Sequence, residues 1–374
     1  MPYPFRRLPV CTLVALACAG ERVPVRIGYA YGDPAAGALG VAQAELDSAA
    51  AAGARPVRVV SAPVTGGAAA GSLTAAVQHA MAITATPGIV GVVGNSNSRE
   101  ALLAVPVYAG AHIPVVVPTA TSRRLREAGP WTFVLAPDDS VEGEFIAAFV
   151  AERLNARAVT LYSVADEYGI GLRDATAAAL DRRGVAVADR VTLPLVAGCQ
   201  PGNAVETVVI ASLQRTRPGV AVFAGRPDET LCAVRVLATR RPGMRFVAGD
   251  GLVLGPGTFA VPGIDSVYAV AFWHADQRPE RAARFVERFQ QTAGRPPHHG
   301  DALAYDAIMV LAAAVQAGAR DGEGVRRYLA GLGTDRPPYN GLTGPVAFGP
   351  RAERPLVMTR VASSPQRVVV VEVP

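Results

Sequence analysis

The sequence predicts an α/β protein built from two doubly wound parallel-sheet lobes, and three observations carry that expectation. From residue 25 onward, short β-branched runs alternate with Ala-rich stretches of helical length, the pattern of βαβ units. After "APDDS" at residues 136–140 the alternation starts again, giving a second set of the same kind. The chain has 374 residues, 50% of them hydrophobic, which suffices to bury two cores rather than one.

In chain order, β-branched runs place strands at 25–30, 57–61, 89–94, 115–118 and 132–136. Ala-rich stretches between them place helices at 38–52 and 72–86. A third helix starts at Ser98 and runs through "REALLAVPVYAG" despite Pro106 near its end. The second set reads helix 141–154, strand 158–163, helix 169–183, strand 186–193, helix 204–215, strand 220–224, helix 229–240 and strand 245–248. Strand 267–271 is followed by two amphipathic helices, 279–292 and 301–317, and by a strand-rich tail, "LVMTRVASSPQRVVVVEV". No repeat of fixed period, low-complexity tract or long linker interrupts the pattern.

The first twenty residues, "MPYPFRRLPVCTLVALACAG", set Arg6 and Arg7 before an apolar run at 8–17 that is short for a bilayer span and ends in small residues, as an export signal does. Ala15-Leu16-Ala17 fits ordinary signal cleavage. Ala17-Cys18 also resembles a bacterial lipobox, with Ala15 where Leu is usual. The expectation is thus an exported protein, periplasmic or anchored to a membrane through a lipidated Cys18. In that oxidising setting Cys199 and Cys232 either pair or stand as two thiols.

All 36 cationic residues are Arg, and the chain contains no Lys. That excludes Schiff-base chemistry, pyridoxal attachment and a phosphate-loop lysine. The net charge of +5 is spread over single and paired arginines without interleaved aromatics, so no nucleic-acid partner is expected. The histidines, His79, His112, His274, His298 and His299, form no HExxH and no paired metal spacing, and no GxSxG elbow occurs. "PPHHGD" at 296–301 reads as a loop before a helix, with Asp301 as cap and both histidines exposed. Neither catalytic residues nor a metal or cofactor are expected.

In open parallel sheets, ligands sit beyond the carboxyl ends of strands. "GVVGNSNSREA" at 91–101 ends a buried strand with small polar residues and places Ser98 as a natural N-cap, where free amides favour an anion. "PVVVPTATS" at 114–122 ends the next strand with Thr119, Ala120 and Thr121. Two strand ends offering hydroxyls and amides at one point suit a carboxylate.

The order of elements, the strand-Gly-x-x-x-Ser pattern, the "PTAT" turn, "DEYGIG" and "FVAGDG" together resemble the type I periplasmic binding proteins of branched-chain amino acid ABC importers, the leucine/isoleucine/valine-binding family, over nearly the whole mature chain. The resemblance implies three crossovers near Asp138, Trp273 and Phe348. The lobes would then be 23–138 with 273–348, and 139–272 with 349–374. It further implies that Ser98 and Thr121 hold a ligand α-carboxylate, that the Thr119 carbonyl and Asp250 hold its α-ammonium, and that Tyr168 closes over it. A buried zwitterion needs both charges met, because an unpaired buried ion costs several kcal/mol or more.

The side-chain pocket departs from the leucine-type pattern: Ser96, Asn97 and Arg226 stand near its wall, with Leu39 near an aromatic position. Polar groups there would penalise a leucine side chain, so a polar or acidic amino acid or another small carboxylate is expected, unless Arg226 pairs with Asp228 or Glu229 in its own loop. The expected function is solute binding as a monomer, without bond chemistry, and delivery to an ABC-transporter permease. A ligand-sensing receptor of the same fold and a secreted hydrolase are the rival expectations.

Overall fold

The first set of elements is β1 (Val25–Ala30), α1 (Gly37–Ala51), β2 (Val57–Val60), α2 (Leu73–Thr84), β3 (Ile89–Gly94), α3 (Ser98–Gly110), β4 (Val115–Val117), the short α4 (Arg123–Arg126) and β5 (Thr132–Val134). The second is α5 (Asp139–Ala148), β6 (Ala158–Val164), α6 (Glu167–Arg182), β7 (Ala186–Leu193), α7 (Ala204–Arg215), β8 (Val220–Ala224), α8 (Pro227–Arg240), β9 (Arg245–Ala248) and β10 (Val267–Ala271). Then come α9 (Pro279–Ala293), α10 (His299–Gln316), α11 (Gly322–Ala330), β11 (Tyr339–Gly341), β12 (Gly344–Val346), β13 (Val357–Ser363) and β14 (Gln366–Val371). This is a computed structural model; it describes residues 23–31, 37–61, 73–277, 279–349, 354–363 and 366–371, so the export signal and Cys18 lie outside it.

Strands β1 to β5 form one sheet in the order β2-β1-β3-β4-β5, every pairing parallel. The other sheet runs β14-β13-β10-β9-β8-β6-β7, parallel from β7 to β10 and antiparallel across β13 and β14. The parallel parts share one winding, in which the strand order reverses at β1/β3 and again at β6/β8. Such reversals open a crevice at the carboxyl edge. Helices cover both faces of such sheets, and so β3 and β4 are buried at every residue.

The chain leaves the first sheet after β5 and the second after β10. Helix α10 packs on α1, β1 and β3, and α11 on β3, before β13 rejoins the second sheet.

The structure departs from the sequence expectations at a few ends. Helix α5 begins at Asp139, not 141, because Asp138 caps it, its side chain accepting the amides of Ser140 and Val141; beyond Ala148 it continues as a π-helical turn, Phe149–Arg153. Helices α4 and α11 and the β11–β12 hairpin are additional to the expected set. Helix α3 does continue through Pro106 to Gly110. Among the described residues no helix is long and apolar enough to cross a membrane.

Candidate ligand-binding site

The end of β3 builds one wall. Asn97, not Ser98, is the N-cap of α3: its side chain accepts the Glu100 amide at 2.9 Å. Ser98 is the first helical residue, and its buried Oγ accepts the Ser122 amide at 3.2 Å, tying the ends of β3 and β4 together. The expectation that Ser98 caps the helix is thereby corrected. The physical reason is register: the residue with extended φ/ψ is Asn97, whose short amide side chain reaches back to the third helical residue.

At the end of β4, Thr119 Oγ1 donates to the Ser96 carbonyl at 2.8 Å and lies 3.2 Å from the Tyr31 hydroxyl. Thr121 is buried, its Oγ1 without a hydrogen-bond partner among the described residues, while its carbonyl accepts the Asp139 amide at 2.9 Å.

The opposite wall comes from β6, β8 and β9. Asp166 caps α6 by accepting the Gly169 amide at 2.9 Å and forms an ion pair with Arg226 at the start of α8. Arg226 is therefore not paired within its own loop, as one of the two expectations had it: Asp228 accepts the Gly198 amide and Glu229 the Val196 amide. Tyr168 is buried, and its hydroxyl accepts the Gly251 amide at 2.9 Å. A Cβ on Gly169 would stand 2.2 Å from the Val164 carbonyl oxygen, so glycine is required for α6 to start this close to the end of β6.

Asp250 follows β9. It is buried, its amide donates to Glu142 Oε1 at 2.7 Å, and its Oδ1 has no hydrogen-bond partner among the described residues. Burial pushes its carboxyl up to about 6, only partly offset by the hydrogen bonds of the Tyr168 and Glu142 side chains. Asp139 and Glu142 are buried beside it. Burial takes Asp139 to about 7 and holds Glu142 well above the ordinary carboxylate range, and the negative charge of Asp250 raises both further. Among the described residues no cation is recorded in an ion pair with these three carboxyls, and the nearby Arg226 is committed to Asp166. Buried orphaned polar atoms are uncommon, and for Asp250, the one of the three that faces a cavity, a charged partner from outside accounts for it.

Every ligand-contact residue expected from the sequence lies in one place. Asn97, Ser98, Thr119, Thr121, Tyr168, Arg226 and Asp250 line a single cavity of about 250 Å³ together with Ser96, Ala120 and Gly251. Leu39 does not; it packs against the hydrophobic core. Asp139 and Glu142 were missed. Their signal was available: residues 139, 142, 143, 146 and 147 form the buried stripe of α5, so both acids sit on its apolar face.

"PPHHGD" also needs correcting. His298 is the cap of α10, accepting the Gly300 amide through Nδ1, whereas Asp301 is the reciprocal capping-box residue; His299 is buried rather than exposed. Among the described residues no cluster of His, Cys, Asp or Glu could hold a metal ion.

Two doubly wound sheets whose carboxyl edges meet at one cavity, with hydroxyls on one wall and a buried acid on the other, define a two-lobed solute-binding protein. The chain belongs to the periplasmic binding protein family, whose model matches residues 26–365. Curated relatives include the Leu/Ile/Val-binding protein homolog 1 of Brucella suis biovar 1, 25% identical over 272 residues, covering 72% of this chain and 70% of the relative. The "Amino acid binding protein" of Pseudomonas aeruginosa is 29% identical over 237 residues, covering 62% of this chain and 61% of the relative. Among solved structures, the leucine binding protein LivK of Thermotoga maritima matches with a TM-score of 0.77 at 19% identity, covering 93% of this chain and 98% of that one. LivJ of Streptococcus pneumoniae, solved with isoleucine, matches with a TM-score of 0.75 at 22% identity, covering 93% and 99%. The two structures share this chain's fold.

Proposed function

We propose that this protein is an extracytoplasmic solute-binding protein that captures an amino acid or related small carboxylate between its lobes and presents it to an ABC-transporter permease. The observation that carries the proposal is the 250 Å³ cavity, in which the buried Thr121 Oγ1 and the Asp250 carboxyl, whose Oδ1 has no hydrogen-bond partner among the described residues, belong to opposite walls. In this reading Ser98, Thr121 and the first amides of α3 take the ligand carboxylate. The Thr119 carbonyl and Asp250 take the ammonium. Tyr168, positioned by its bond to the Gly251 amide, covers the ligand.

The lobes are 23–138 with 273–348 and 139–272 with 349–374. They close about the crossovers, so that the ligand shifts the population toward a closed form that the permease recognises. No bond is made or broken, and no cofactor takes part. The protein works as a monomer, exported by residues 1–20 and either free in the periplasm or held at the membrane through Cys18.

The test is calorimetric titration and thermal unfolding with a panel of zwitterionic amino acids and simple carboxylates. A ligand that binds only the native state raises the unfolding midpoint. The expected result is saturable binding that Asp250→Asn weakens at least a hundredfold for amino acids while the ligand is recovered unchanged. Binding indifferent to Asp250→Asn, or turnover of the ligand, overturns the proposal.

A further inference from the structure

A second cavity, of about 610 Å³, adjoins the polar one. Gly251 lines the polar cavity and Leu252 the larger one. On the other side, the Tyr31 hydroxyl stands 3.2 Å from Thr119 Oγ1, and a Cβ on Gly300, the residue after His299, would come within 2.7 Å of the same hydroxyl. The 251–252 turn thus passes from one space to the other, and Tyr31 stands between Thr119 of the polar cavity and Gly300, next to His299 of the larger one.

The walls of the larger cavity are mostly apolar and ringed, among them Leu252, Leu254, Phe259, Trp273 and Pro296. Several of its polar groups are engaged within the protein. Arg295 makes a two-pronged pair with Asp301 at 2.8 and 3.0 Å. His298 Nδ1 accepts the Gly300 amide. The His299 ring packs 5.2 Å from that of Phe272, and burial pushes it down to about 3, so it stays uncharged at any physiological pH. His274 and His298 are displaced downward by burial as well. Arg367 is the remaining cation, exposed on β14 at the rim.

The polar cavity alone is below the roughly 300–1,000 Å³ of ordinary small-molecule sites, whereas the larger one lies inside that range. The groups that suggested a polar side-chain pocket are already engaged: Arg226 with Asp166, Asn97 as a helix cap, and the Ser96 carbonyl with Thr119.

From this geometry we infer that the ligand is an amino acid with a bulky, uncharged aromatic side chain, its charged ends held in the polar cavity and its ring passing Tyr31 and Leu252 into the apolar one. The inference rests on the proposed zwitterion site and names what that site selects. Flat rings gain edge and face contacts from Trp273, Phe259 and the neutral imidazoles that an aliphatic group does not. A cationic side chain would meet no acid among the lining residues, and an acidic one would meet only the exposed, solvent-screened Arg367 at the rim.

Calorimetric titration of the full chain with L-alanine, L-leucine, L-phenylalanine, L-glutamate and 3-phenylpropionate separates the possibilities. The expected order is phenylalanine tightest, at least tenfold tighter than leucine and a hundredfold tighter than alanine, with glutamate weakest of the amino acids. Phe259→Ala, at a half-buried position packed on the core, is expected to lower the ratio of phenylalanine to alanine affinity at least tenfold, a ratio in which any loss of stability cancels. Alanine or leucine equal to phenylalanine, or glutamate tightest, overturns the aromatic inference and leaves the zwitterion site standing. Binding of 3-phenylpropionate as tight as phenylalanine overturns the ammonium site, and with it the inference. Absence of binding by every compound overturns both.

Discussion

Asp139 and Asp250 are carboxyls that the protein buries without a cation, and this sets how the empty protein responds to pH. The charges that raise Asp139 include those of Asp250, Asp138 and Glu167, and Glu142 interacts with it as well. Folded, Asp139 titrates at about 7 and Asp250 at about 6, against an ordinary aspartate near 3.9. Between about pH 4 and 7 the folded state therefore holds protons that the unfolded chain has released. The stabilisation from these groups is complete below about pH 4 and declines as pH rises, ending above about 7. Asp139→Asn removes the Asp139 share of the slope, leaves that of Asp250, and keeps the shape. The variant is expected to melt several degrees above the wild type at pH 7.5, at roughly 1.4 kcal/mol per unit of displacement, and level with it near pH 4. Thermal unfolding of the ligand-free protein across that range checks it; equal melting temperatures at pH 7.5 contradict it. The contrast between Asp250 and Glu142 shows what the sequence made legible at this scale. Asp250 ends an apolar strand, where only a ligand or a turn accounts for an acid, and a single line of sequence reveals that. Glu142 is held by the amide of a residue 108 positions away, and nothing local to it announces the contact.

At the scale of elements, strands and long helices follow the sequence because each is dictated by its own residues: β-branched runs buried on both faces, and Ala-rich stretches capped by Asn97, Asp138, Asp166 and Asn203. What escaped was short or conditional. Helix α4 is a single turn, and the β11–β12 hairpin depends on Asp306, whose carboxylate accepts the amides of Leu342 and Thr343 from a distant helix. The loop between β7 and α7 was also open in the sequence. Cys199 and Cys232 form a disulfide that fastens it to α8, beside the amides of Val196 and Gly198 held by Glu229 and Asp228. The bridge closes a loop of sequence separation 33, and restricting the unfolded chain to that extent stabilises by about 3–4 kcal/mol. Replacing both cysteines by serine is expected to lower the stability by that amount in urea titration, and reductant is expected to do the same to the wild type and nothing to the variant. A reductant-insensitive wild type contradicts the bridge.

For the molecule as a whole, the residues next to the ligand groups also join the two lobes. Ser122, which follows Thr121, donates through Oγ to Glu167 Oε1 at 3.0 Å, and Arg124 Nη1 lies 3.1 Å from Glu167 Oε2; Glu167 in turn precedes Tyr168. On the proposed reading of the site, the ligand and the clasp act on the same two loops, so that each would favour the closed form for the other. Magnitudes decide which contact matters. Arg124 is 68% exposed, which limits its pair to at most about 1 kcal/mol, whereas the half-buried hydroxyl bond to a carboxylate is worth about 1.5–3 kcal/mol. Part of either is regained from water when the lobes open, leaving about 1–2 kcal/mol as the clasp's share of closure. Glu167→Ala is therefore expected to weaken ligand binding by roughly five- to thirtyfold, at about 1.4 kcal/mol per tenfold, chiefly through faster release. Arg124→Ala is expected to change it by less than about fivefold. Stopped-flow dissociation measures the release, and small-angle scattering measures the compaction on adding ligand, which the Glu167 variant reaches only at higher ligand concentration. If both variants release ligand at the wild-type rate, the clasp is a surface contact without a part in closure, and the energy of closing resides in the ligand and the crossovers alone.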